Sequence, residues 1–244
     1  MSAEALKKII SQSRNTVFFG GAGVSTESDI PDFRSENGIY KTIQRYGYPP
    51  ETILSYSFFE THTEEFFDFY RNNMIYQAAK PNKAHLALAA LEDRGMLRAV
   101  VTQNIDGLHQ AAGSRNVLEL HGSIHRNYCT ACHERYTLEY VLSRKEPIPR
   151  CSRCNGIIKP AVTLYEESLD MDVVNAAVSF IAKADVLIVG GTSLVVYPAA
   201  GLIEYYRGGK LVLINKSATP FDREADLVIH DSIGKVLDEA VSFR

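Results

Sequence analysis

Apolar positions along the chain fall into short dense runs, separated by stretches in which they recur at helical spacing. Residues 16–19 (TVFF), 99–102 (AVVT), 186–189 (VLIV) and 211–214 (LVLI) are runs of this kind, rich in β-branched side chains and flanked by glycines, polar residues or helical stretches. Unbroken apolar runs are expected of strands covered on both faces, as in a parallel sheet. Between them, 85–94 (HLALAALEDR) repeats apolar residues at helical spacing until Gly95 stops it. Residues 1–14, with Glu4, Lys7, Lys8 and Arg14 among scattered apolar positions, predict a short amphipathic helix. Strand alternating with helix implies right-handed crossovers and a doubly wound α/β sheet. Two segments break the alternation. Residues 128–155 hold all four cysteines and read as a small inserted module. Residues 32–50, rich in Gly, Tyr, Pro and polar residues, read as a loop over a bound cofactor.

Composition narrows the picture. The 244 residues suit one large domain or one domain carrying a small insert, and 45% apolar against 23% charged residues supports a packed core and excludes disorder. The formal net charge is -3, with no basic block, so no specific nucleic-acid partner is expected. No apolar run reaches transmembrane length, and residues 1–14 lack the continuous apolar stretch of a signal peptide. A cytoplasmic protein without membrane contact is therefore expected, and a monomer. In a reducing compartment, four cysteines point to metal or catalysis before disulfides.

Two glycine turns suggest a nucleotide. Gly20-Gly21-Ala22-Gly23-Val24-Ser25 follows TVFF, where glycines would let the backbone approach a pyrophosphate at a helix N-terminus. Thr26 stands where the dehydrogenase fingerprint has its third glycine, which argues against ordinary hydride transfer. Gly190-Gly191-Thr192-Ser193 follows VLIV, and a helix then leads to LVLI and Asn215. Asn215 either bonds an adenosine ribose or caps a turn.

Cys129-Thr130-Ala131-Cys132 and Cys151-Ser152-Arg153-Cys154 are two C-x2-C knuckles whose separation falls in the zinc-ribbon window. Four thiolates close a tetrahedron and leave no open position, so the zinc would be structural. A redox dithiol pair is the other reading.

After AVVT, Gln103-Asn104-Ile105-Asp106 gathers two amides and a carboxylate at a strand's carboxyl end, where Asn104 or Asp106 could instead cap a helix. His121, after 117–120 and before Gly122, is the best-placed general base of the seven histidines, with Gly122 leaving room for a ligand. His85 and His109 sit in helical patterns and read as packed or capping residues.

Taken in order, Gly21-Ala22-Gly23-Val24-Ser25, Ile30-Pro31-Asp32-Phe33-Arg34, 102–109 (TQNIDGLH), Leu120-His121-Gly122, the paired knuckles and 191–198 (GTSLVVYP) resemble the signature of the sirtuin family, from about residue 10 to the C-terminus. The resemblance implies a Rossmann-like parallel sheet with a small inserted zinc-ribbon domain. Residues 1–34, 80–122 and 160–244 would form the large part, and 35–79 with the zinc module 123–159 the small one. It implies an NAD-dependent lysine deacetylase or deacylase acting on acyl-lysine in proteins or peptides, releasing nicotinamide and O-acyl-ADP-ribose, with one structural zinc. By motif position, Gly21, Ala22, Gly23, Thr26, Phe33, Arg34, Gln103, Asn104, Ile105, Asp106, Gly191, Thr192, Ser193 and Asn215 would line the NAD site, and Ser232 and Ile233 would reach the adenine. Asn104 and Asp106 would hold the nicotinamide end, His121 would be the base, and Phe33 would shield the reacting carbon. Val162, Thr163, Tyr165 and Val195 would meet the substrate.

Three departures from the family pattern stand out. Asp29 replaces a usual Gly. Tyr165-Glu166-Glu167 replaces aromatic-Gly-Glu on a strand expected to pair with the peptide, which predicts a preference for basic flanking residues. Tyr70 is followed by Asn73 where desuccinylating members carry Arg, which predicts preference for acetyl or other uncharged acyl groups over succinyl. ADP-ribosyl transfer to protein is the alternative activity. A nucleotide-sensing module without turnover and a zinc-ribbon nucleic-acid binder are the non-enzyme readings.

Overall fold

A computed structural model describes residues 2–31 and 43–241. Phe33, Arg34 and the 32–42 portion of the expected loop lie outside the described residues. The four apolar runs form strands β1 (Thr16–Gly20), β2 (Leu97–Thr102), β7 (Val186–Gly190) and β8 (Lys210–Ile214). With β3 (Val117–Glu119) and β9 (Leu227–Ile229) they make one six-stranded sheet in the order β3-β2-β1-β7-β8-β9, every pairing parallel. This is the doubly wound order, and its reversal of direction lies between β1 and β7.

Alternate side chains of each strand go to opposite faces. Phe18, Val100, Ile188 and Val212 pack with Leu6 and Ile10 of α1 (Ser2–Gln12), Leu88 and Leu91 of α5 (Lys83–Asp93) and Leu237 of α9 (Ile233–Val241). Val17, Phe19, Val101, Leu187 and Val189 pack on the other face, with Ala177 and Ile181 of α8 (Met171–Lys183). Both faces are covered, which is why these strands show no polar alternation.

A second sheet of three antiparallel strands, in the order β5-β4-β6, is built from β4 (Gly122–Cys129), β5 (Arg135–Thr137) and β6 (Ile158–Val162), with α7 (Leu138–Ser143) after β5. Three helices, α2 (Pro50–Ile53), α3 (Tyr56–Thr61) and α4 (Thr63–Asn73), bring Phe58, Phe59, Phe66, Phe67, Phe69 and Tyr70 together with Ile124, Val162 and Leu164 of this sheet's end. No described helix is long and apolar enough to cross a membrane.

Two helices expected after the glycine turns differ from expectation. Ala22–Val24 and Thr26–Ser28 after β1, and Ala199–Tyr205 after β7, are 3₁₀ turns. In the first, i→i+3 bonds such as Val24 N–H to Gly21 O and Ser25 N–H to Ala22 O replace the helical ladder. The Thr26 side chain competes there for a backbone partner, its Oγ1 donating to Gly23 O at 3.0 Å. A helix dipole therefore does not act at this turn.

Candidate active site

The parallel register puts Gly20 beside Thr102 and Gly190, so three strand ends open onto one edge. The two glycine turns touch: Gly23 N–H donates to Gly191 O at 2.8 Å. A side chain at Gly23 would stand 2.8 Å from the Gly191 backbone, and one at Gly191, where φ is +61°, 2.4 Å from Val24 N. These glycines are required by the packing of turn on turn. The joined turns, the 103–108 loop, residues 162–169, 73–79 and 214–219 enclose a cleft of about 1130 Å³. That is room enough for a dinucleotide with a piece of peptide.

Gln103 Nε2 donates to Thr192 Oγ1 at 3.1 Å, tying the β2 loop to the second glycine turn. Ser25 Oγ, fully buried, accepts from Asn104 Nδ2 at 3.0 Å and donates to Asp106 Oδ2 at 2.7 Å. Asp106 Oδ1 accepts from Leu108 N–H at 2.9 Å at the start of α6 (Leu108–Ala111), the capping use expected of one member of this group. Ser25 thus locks amide and carboxylate side by side. It was legible only as part of a glycine motif, since nothing local marks its hydroxyl as buried. His125 was also not anticipated: it lines the cleft, and its Nε2 meets the Asp106 carbonyl at 3.0 Å.

Of the residues expected at the cofactor, Gly21, Ala22, Gly23, Thr26, Gln103, Asn104, Ile105, Asp106, Gly191, Thr192, Ser193, Asn215 and Ile233 all line the cleft. Ser232 lies off its wall, between Asp231 and Ile233, which are on it. Asn215 takes the capping use expected of it. Its Oδ1 caps Thr192 N–H at 2.9 Å, and its buried Nδ2 has no partner among the described residues. An orphaned buried donor on the wall fits a ligand hydroxyl.

His121 follows β3, and its Nδ1 lies 3.0 Å from Gln103 O. A donating Nδ1–H leaves Nε2 as the basic nitrogen. The imidazole lines the cleft, as expected. Gly122 serves a different end from the ligand room expected of it. Its φ is +75°, and a Cβ there would sit 2.0 Å from Ala161 O of β6. Gly122 lets two strands approach and opens no space for a ligand.

Val162, Thr163, Tyr165 and Val195 line the other arm of the cleft. Thr163 N–H donates to His121 O at 2.9 Å, fixing this arm to the histidine. Both backbone groups of Tyr165 are already used, its N–H by Leu54 O and its C=O by Tyr56 N–H. Tyr165 itself, 37% exposed, thus has its backbone tied to Leu54 and Tyr56 and presents its side chain to the cleft.

Asp29 and Glu166 both have left-handed backbone, with φ of +60° and +76°. That conformation accounts for glycine in the family pattern at each. Glu166 is third in a turn closed by Glu167 N–H to Leu164 O, as in a type II turn. Its carboxylate accepts from Ser57 N–H at 2.8 Å and Ser57 Oγ at 2.9 Å, in the first turn of α3. The charge faces a helix start, which removes the ground for expecting a preference for basic flanking residues.

The four cysteine sulfurs lie within 4.8 Å of one another, with Cys129 and Cys154 at 3.4 Å and Cys132 and Cys151 at 3.6 Å. None is at disulfide distance. Ligands ~2.3 Å from a tetrahedral zinc stand about this far apart. The knuckles turn back at His133 and Asn155, both left-handed, and Gly156 passes so close that a Cβ would meet Cys129 Sγ.

His85 and His109 are packed as expected. His85 Nδ1 accepts from Asn82 N–H in a capping box, and the two rings meet edge to face 4.7 Å apart. Burial pushes His85 down to about 4, against the pull of the Asp106 and Glu27 carboxylates, and burial with the neighbouring His85 pushes His109 down to about 3. Both are neutral when folded, whereas the unfolded chain binds protons below 6.5. Stability is thus full above that pH and falls as pH drops from 6.5 towards 4. Urea midpoints should fall between pH 7 and pH 5, and less steeply in a His85→Gln/His109→Gln chain. Parallel slopes would contradict this.

The sequence model of the Sir2 family matches residues 21–198. The chain belongs to the Sir2 family, the sirtuins. It is 64% identical to the NAD-dependent protein deacetylase of Clostridium acetobutylicum over 97% of this chain and 96% of that one, and 54% identical to that of Cutibacterium acnes over 97% and 96%. Among solved structures, a Sir2 complex with a p53 peptide and NAD+ is 40% identical with a TM-score of 0.88, covering 97% of this chain and 96% of that one. A Sir2 complex with deacetylated p53 peptide and 3'-O-acetyl-ADP-ribose is 40% identical with a TM-score of 0.90, covering 98% and 97%.

Proposed function

We propose that this chain is an NAD-dependent protein lysine deacetylase that moves the acyl group of an acyl-lysine side chain onto ADP-ribose and releases nicotinamide. The carrying observation is one cleft holding the His121 imidazole, the Asn104–Ser25–Asp106 network and the two joined glycine turns.

NAD, when bound, supplies a ribose carbon that the acyl oxygen attacks as nicotinamide leaves. The rest falls to this chain. Asn104 and Asp106, held by Ser25, orient the carboxamide end, while Thr192, Ser193 and the unpartnered amide of Asn215 hold the other. His121 Nε2 takes a proton from a ribose hydroxyl, which can then attack the acyl carbon. Ile105, Ile124 and Met74 make part of the cleft wall apolar, the surface a water-sensitive reacting carbon requires. Cys129, Cys132, Cys151 and Cys154 would hold one structural zinc, which would close the knuckles and supply no chemistry to the reaction.

The acyl preference follows from the cations at hand. Among the described lining residues Lys216, beside Asn215, is the one Lys or Arg. Asn73, on the wall, is engaged with Phe69 O at 3.0 Å, and Tyr70 is buried in the aromatic cluster. No described cation awaits an acidic acyl group near His121. Acetyl-lysine peptides should turn over at least ~10-fold faster than succinyl-lysine ones, worth ~1.4 kcal/mol. A panel scored for nicotinamide and O-acyl-ADP-ribose tests both claims. Faster succinyl turnover would overturn the preference, and mass-spectrometric detection of ADP-ribosylated protein in place of O-acyl-ADP-ribose would point to the transferase instead.

A further inference from the structure

Lys159 of β6 is a charged residue inside the small sheet, its side chain 3% exposed. All three ammonium protons have acceptors: Glu167 Oε2 at 2.9 Å, Val162 O at 3.1 Å and Pro160 O at 3.5 Å. Glu167 is 24% exposed, and the same Oε2 accepts from Leu164 N–H at 2.8 Å. Its own N–H returns to Leu164 O at 3.1 Å. The ammonium and carboxylate therefore clamp the turn 164–167 from beneath. Glu166 clamps it from the side through Ser57, and Tyr165 through Leu54 and Tyr56.

A buried ion pair gains little stability over apolar residues of like size, because desolvation offsets its attraction. What such a pair does supply is direction. Every residue of the turn lines the cleft. The preceding Thr163 N–H is bonded to His121 O. No bond of the pair reaches the glycine turns, Gln103, Asn104 or Asn215.

Resting on the deacetylase reading, we propose that the buried Lys159–Glu167 pair is a positioning device for the acyl-lysine peptide. It sets the height of the 164–167 turn over the cleft and so the fit of peptide against His121, and it leaves NAD binding alone.

The test is a Lys159→Met/Glu167→Gln chain, which removes both charges, keeps an acceptor for Leu164 N–H and keeps the stem's volume. Its KM for an acetyl peptide should rise ~10-fold or more, a 1.4 kcal/mol loss per factor of ten. Its KM for NAD should stay within about twofold of the parent, with zinc content unchanged. Peptide KM equal to the parent's, or both KM values rising together, overturns the proposal. Should the double variant not fold, Glu167→Asp alone decides by the same split, since it keeps the charge beside Lys159 but shortens the reach to Leu164 N–H and so moves the turn. The parent chain is assayed first. No nicotinamide release there sinks the deacetylase reading, whereas an active parent with unmoved variants sinks only the positioning role.

Discussion

A His121→Ala chain should lose deacetylation by ~10²–10⁴-fold in kcat, about 2.7–5.5 kcal/mol of barrier, while still binding NAD. The size follows from the geometry. With Nδ1 at 3.0 Å from Gln103 O, only Nε2 can serve as base. His109, near the same loop, is buried and cannot serve. The loss should be chemical and not structural. The bond from Thr163 N–H goes to the His121 backbone, which alanine keeps, and the imidazole is only partly buried. Calorimetric titration with NAD should give an affinity close to the parent's, and O-acyl-ADP-ribose should fall to background. Deacetylation within tenfold of the parent would remove His121 from the role.

Removing zinc should have the larger structural effect. The buried core beneath the knuckles is Cys129, Val141, Cys151 and Ile158, so two of its four members are the ligands themselves. So small a core cannot hold a fold, and structural zinc sites of this kind contribute ~10–16 kcal/mol at neutral pH. A strong chelator, or Cys129→Ser, should abolish hydrogen-exchange protection in β5 and α7 and at the outer ends of β4 and β6. The six-stranded sheet should keep its protection. Activity should vanish with the small sheet, because β4 begins next to His121 and β6 runs into the turn over the cleft. Full deacetylation by a zinc-free chain would contradict this.

The large sheet was open to the sequence because its strands are covered on both faces: TVFF, AVVT, VLIV and LVLI each appear as strands to within a residue or two. The small sheet was not. β4 carries Gly122, Ser123, His125, Arg126 and Asn127 among its eight residues, and its burial depends on helices distant in the chain. The site divides in the same way. The residues expected for their chemistry lie together where spacing, type and the family resemblance put them, the cysteine sulfurs in one cluster and His121, Asn104 and Asp106 on one cleft wall. Those whose function is geometry were not legible: Ser25 between two side chains, Gly122 under Ala161, and Glu166, whose charge was expected on the peptide and is spent on Ser57. Each depends on a neighbour far along the chain, which local pattern does not encode.

The adjacency of β1 and β7 carries a consequence for biosynthesis. β1 leaves the ribosome early, yet the turn that seats against its glycines is translated only after Val186. Until then the nascent polypeptide bears a bare apolar strand edge, and neither half of the nucleotide cradle exists alone. Such intermediates are prone to aggregate. Yield in a heterologous host should therefore respond to chaperone supply and to slower translation more than to the stability of the finished enzyme.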